Sequence, residues 1–151
     1  MNQIPFQQAV AEICVRDPRY AAESYFFLRE ALDFTVKSLK KPVEGQERHV
    51  TGQELSEGAR QFAIQEFGPL ALTVLRAWRL QRTEDFGEMV FNLVESGTFG
   101  KTEKDNRSDF ANGYDFYEAF GKPYEVENAR ARPGRTRRAK PTSGARGGAK
   151  D

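Results

Sequence analysis

A chain of 151 residues fits one domain, large enough to bury a core without disulfide or metal staples. Its formal net charge of +1 conceals a division. Residues 1–127 carry 15 Lys and Arg against 21 Asp and Glu, a net −6, whereas 128–151 carry 8 basic residues against Asp151 alone, a net +7. A single Cys and a single His exclude an internal disulfide and leave little material for a catalytic triad or a multi-histidine metal site.

In chain order, Met1 to Val15 has neither a basic opening nor an uninterrupted apolar run, so no secretory signal is expected. Pro5 suits a helix start, and Phe6, Ala9, Val10 and Ile13 recur at helical spacing before Asp17-Pro18 breaks the pattern. Cys14, in this apolar stretch, reads as a small buried thiol. Asp17 is placed to cap a second helix, with Pro18 in its first turn and Tyr25, Leu28, Leu32, Val36 and Leu39 along one stripe. Phe26, Phe27 and Phe34 widen that face, which implies burial on two sides or a partner surface. Lys40 to Val50 is charged, aperiodic and reads as an exposed connection.

Thr51-Gly52-Gln53-Glu54 is a capping box, because the Thr hydroxyl and the Glu carboxylate can each satisfy an open backbone donor. A third helix is then expected to run to about Phe67, with Leu55, Ala59, Phe62 and Ala63 or Glu66 along one side. Gly68-Pro69 ends it and opens a fourth helix with Leu70, Val74, Leu75 and Trp78 on its apolar face. Thr83 is expected to cap a fifth helix, with Glu84 and Asp85 at the positive end of its dipole, Phe86, Val90, Leu93 and Val94 facing inward, and Gly97 closing it. Beyond Gly97 the pattern supports either a short hairpin or a final short helix, since Tyr114, Phe116 and Phe120 alternate while Tyr114 and Tyr117 lie a helical turn apart. The expected fold is mainly α: a five-helix acidic domain over 1–127, ending in a hairpin or an extra helix, then a tail.

From Asn128 onward there is no aromatic residue and no Leu, Ile or Val, so nothing offsets the entropy of ordering the segment, and it is expected to be disordered alone. Its cations, Arg130, Arg132, Arg135, Arg137, Arg138, Lys140, Arg146 and Lys150, are the candidate nucleic-acid-binding residues, since tails of this kind neutralise phosphates with little base specificity. The same segment could instead fold onto its own acidic body or act as a solubilising extension.

The residues from His49 to Leu55, Phe67 to Ala71, Arg82 to Glu88, Phe91 to Glu95 and Lys101 to Asp105 resemble a family of small uncharacterised proteins from planctomycete and verrucomicrobial bacteria. The resemblance covers about residues 5–120, hence the body and not the tail. It implies no activity, ligand or catalytic residue.

Known catalytic and cofactor motifs are missing from the sequence: no HExxH, paired CxxC, phosphate-binding Gly-Lys-Ser/Thr loop or GxGxxG occurs. No catalytic residue, metal site or cofactor is therefore identified. Asp105, Arg107 and Asp109 hint at a calcium loop, but Phe110 stands where Gly is required and Arg107 replaces an oxygen ligand. Glu84, Asp85, Glu88 and Glu95 read as a solvated acidic face of the fifth helix. Four Phe-Gly pairs read as helix ends and core anchors. The third to fifth helices followed by a hairpin would resemble a winged helix, but a fifth helix without Lys or Arg would be repelled by phosphate.

The leading expectation is a soluble, cytoplasmic, non-enzymatic binding or adaptor protein, its tail contacting RNA or DNA and its body a protein partner. One alternative is a small-ligand binder or enzyme with an interhelical pocket using Tyr25, His49, Trp78 or Tyr114. Another is a homo-oligomer in which the tail of one copy meets the acidic body of another.

Overall fold

The computed structural model describes residues 5–40, 50–99 and 107–125. The tail cations, His49 and most of the connection after Lys40 lie outside these residues. The described chain is mainly α, with five α-helices and no strand. Helix α1 spans Phe6–Arg16, α2 Ala22–Ser38, α3 Gly52–Phe67, α4 Ala71–Ala77 and α5 Thr83–Glu95.

α1 buries Ala9, Val10 and Ile13, as their spacing predicts. The second helix does not begin at Asp17. Asp17 closes α1 instead, its backbone N–H bonding the Ile13 carbonyl, and Pro18 to Tyr20 form a turn ahead of Ala22. The Asp17 carboxylate is unavailable for capping because Arg19 and Asn92 take it. Along α2 the predicted stripe buries Tyr25, Leu28 and Val36, while Leu39 at its end is exposed. The extra Phe residues are covered from two sides. Phe26 meets Phe6 of α1 edge-on at 5.1 Å, and Phe27 lies 5.5 Å from Phe62 of α3 and 5.5 Å from Trp78 beyond α4.

Both halves of the α3 capping box form: Glu54 N–H donates to Thr51 Oγ1 and Thr51 N–H to Glu54 Oε1, each at 3.0 Å. The helix ends at Gly68, whose φ of +53 suits Gly and strains other residues. Gly68–Leu70 form a 3-10 turn rather than the first turn of α4, so the fourth helix is shorter than its sequence implies and Leu70 is 62% exposed. α2 and α3 cross closely at Gly58, where an added Cβ would lie 1.7 Å from Thr35 Oγ1.

Thr83 lies inside α5, not at its cap. Its hydroxyl donates to the Phe110 carbonyl (2.6 Å) and accepts from Gly113 N–H (3.0 Å), tying α5 to a segment some thirty residues later. Asp85 covers the open helix start, accepting from Gln81 N–H (2.8 Å) and Arg82 N–H (3.2 Å). Phe86 and Leu93 face inward as expected, joined by Met89 and Asn92, and Gly97 at φ +83 closes the helix.

Of the two expectations for the end of the body, the structure supports the helix. After Gly97 the described residues contain a 3-10 turn at Arg107–Phe110 and a π-helical turn at Tyr117–Gly121, with one isolated bridge, Arg82 to Asp115, in place of a hairpin. Phe110 is a wedge: an added Cβ at Gly52 of α3 would come within 3.0 Å of its ring, and one at Gly87 of α5 within 2.9 Å. Phe116 and Phe120 pack edge-on at 5.3 Å, beside Tyr114 and Phe86. Segment 107–125 thus contributes Phe110, Phe116 and Phe120 to the core.

Candidate functional site

The sequence-derived candidates do not converge. The eight tail cations and His49 lie outside the described residues. Of the pocket candidates, Tyr25 is fully buried and its hydroxyl accepts from Asn92 Nδ2 at 3.1 Å. Tyr114 donates to the Ser56 carbonyl at 2.7 Å, and burial, then the nearby Glu57 charge, push its hydroxyl far above the ordinary range. Trp78 packs against Phe27 and Phe67. Each of the three serves a different contact within the core.

The most concentrated polar arrangement lies where the turn between α1 and α2 meets α5. Asp-Pro-Arg-Tyr sets it up locally, because an Asp oxygen readily accepts from the backbone two residues on. Arg19 N–H donates to Asp17 Oδ1 (3.2 Å), and its guanidinium grips both Asp17 oxygens at 2.9 and 2.8 Å. Asn92 projects from the inner face of α5 and donates to Asp17 Oδ2 at 2.9 Å as well as to Tyr25. The Arg19 contacts above all, followed by the Asn92 bond, hold the Asp17 carboxyl well below the usual carboxylate range.

A second arm joins the same elements. Tyr20 donates to Asp85 Oδ1 at 2.7 Å, and its hydroxyl is held above its ordinary range first by burial and then by this bond. Glu88 bridges two cations, Arg19 at 3.3 Å and Arg107 at 3.8 Å. Arg79, at φ +71, reaches back to donate to the Arg19 carbonyl (2.8 Å) and the Pro18 carbonyl (3.3 Å). Two carboxylates, Asp17 and Glu88, therefore pair with the guanidiniums of Arg19 and Arg107, while Asp85 takes a hydroxyl and backbone donors and Arg79 binds backbone carbonyls. Cys14 stands beside this turn, half-buried, with Sγ 3.9 Å from the Tyr20 carbonyl and its thiol pushed up mainly by burial.

The α5 carboxylates stand on the solvent side, as their spacing implies, but they are paired and not free. Asp85 and Glu88 are only partly exposed and bonded, Glu84 accepts from Asn112 N–H at 3.1 Å, and exposed Glu95 pairs with Arg16 at 3.3 Å. Their partners come from three other segments of the chain. In chemical terms the junction is a neutral, internally satisfied brace: its acceptors already hold donors, and the one hydroxyl aimed at a carboxylate, that of Tyr20, is a poorer acid than a free phenol. Among the described residues no group of three or more His, Cys, Asp or Glu is arranged to hold a metal ion, and no helix is long and apolar enough to cross a membrane.

Asn92 is the residue that pattern reading passes over. Its signal is present, since a polar amide between Met89 and Leu93 on an inward face needs buried partners. Comparison of the chain with protein-family models, with curated proteins and with solved structures gives no match.

Proposed function

We propose that this protein is a non-enzymatic binding or adaptor protein of the cytoplasm, whose basic tail contacts RNA or DNA and whose helical body contacts a protein partner. The observation that carries the reading is the division of charge, −6 over 1–127 against +7 over 128–151. The eight tail cations stand in a segment with no Leu, Ile, Val or aromatic residue, a composition that favours phosphate contact over burial. The bracing of α5 adds support. With Glu88 paired to Arg19 and Arg107 and Glu95 to Arg16, part of this helix's charge is already taken up, which makes it a weaker rival to phosphate for the tail and favours nucleic acid over contact between copies.

The test compares the full chain with a version ending at residue 127, using labelled single-stranded RNA and duplex DNA across a salt series. If the tail engages most of its eight cations, the full chain should lose affinity with a log–log salt slope of roughly −5 to −7, and the truncated chain should lose salt-sensitive binding. Unchanged binding after truncation overturns the tail assignment. Affinity capture from extract, with and without nuclease, tests the protein contact. A partner held by the truncated body after nuclease supports it, and retention of none overturns it. A size in solution that falls as salt rises would favour the homo-oligomer instead.

A further inference from the structure

We draw no further inference here: the strongest candidate, the surface patch where the side chains of Leu72 and half-exposed Tyr117 both approach Gly121, carries nothing because nothing in the structure shows what covers it.

Discussion

Gly58→Ala tests the crossing of α2 and α3 most directly. On an open helix face this change stabilises by about 1 kcal/mol, because Gly pays more backbone entropy than Ala. Here the new methyl would lie 1.7 Å from Thr35 Oγ1, 2.8 Å from Thr35 Cβ and 3.1 Å from Thr35 Cγ2. A rotamer change moves Oγ1 and Cγ2 but not Cβ, so the helices must separate. Overpacking costs about 1–3 kcal/mol, and an overlap with a side chain's own Cβ places this one in the upper half. Set against the gain of about 1 kcal/mol, the expected net loss is about 1–2 kcal/mol, or roughly 4–8 °C in Tm for a body of this size. Urea and thermal unfolding followed by circular dichroism would measure it. Thr35→Ala removes Oγ1 and Cγ2 and leaves the 2.8 Å approach, so the double variant should lose at least about 1 kcal/mol less than the sum of the singles. A stabilised Gly58→Ala, or strict additivity with Thr35→Ala, would refute the close crossing.

Asn92→Leu takes the donor from the buried Tyr25 hydroxyl and one of several donors from the Asp17 carboxylate, which keeps Arg19, and should destabilise by about 1–3 kcal/mol in urea unfolding. Asn92→Asp, which sets a second carboxylate beside Asp17, should cost more at neutral pH and recover in part on acidification. Because the folded state lowers the pKa of Asp17, its contribution is present above the unfolded carboxylate value, near pH 4, and is lost as pH falls further. Asp17→Asn should therefore flatten the acid limb of a stability–pH curve, and an unchanged limb would count against the grip of Arg19. At Arg79 both Ala and Gly remove the two bonds to carbonyls, but only Gly relieves the positive φ. Arg79→Gly should unfold about 1 kcal/mol later than Arg79→Ala, and the reverse order would deny strain at this position.

The local chemistry of caps and turns was legible wherever its partners lie within one turn. Thr51 with Glu54, Gly68 and Gly97 all act as their positions imply. The same chemistry misleads when a distant group claims the residue. Asp17 and Thr83 are both good capping residues, yet Asn92, 75 residues away, binds the first, and Phe110, 27 residues away, the second. Spacing on α5 correctly separates its apolar face from its carboxylates, but it carries no information on Arg16, Arg19 and Arg107, so a braced face and a solvated one look alike in sequence. The end of the body was ambiguous because Tyr114, Phe116 and Phe120 satisfy two periodicities at once, and a π-turn follows neither. The junction was half legible: Asp-Pro-Arg-Tyr announces a turn, but only the fold reveals that Asn92, Asp85 and Glu88 meet it.

The wedge of Phe110 between Gly52 and Gly87 has a consequence in time. Both glycines leave notches that nothing in the first hundred residues is shown to fill, and Thr83 waits for the Phe110 carbonyl and Gly113 N–H from the same late segment. A chain lengthening from its N-terminus can therefore form its helices early but cannot reach their final packing until residues 107–125 have been added. Native assembly is held back until this segment has emerged, and a nascent chain stopped at Gly97 should collapse without acquiring fixed side-chain packing.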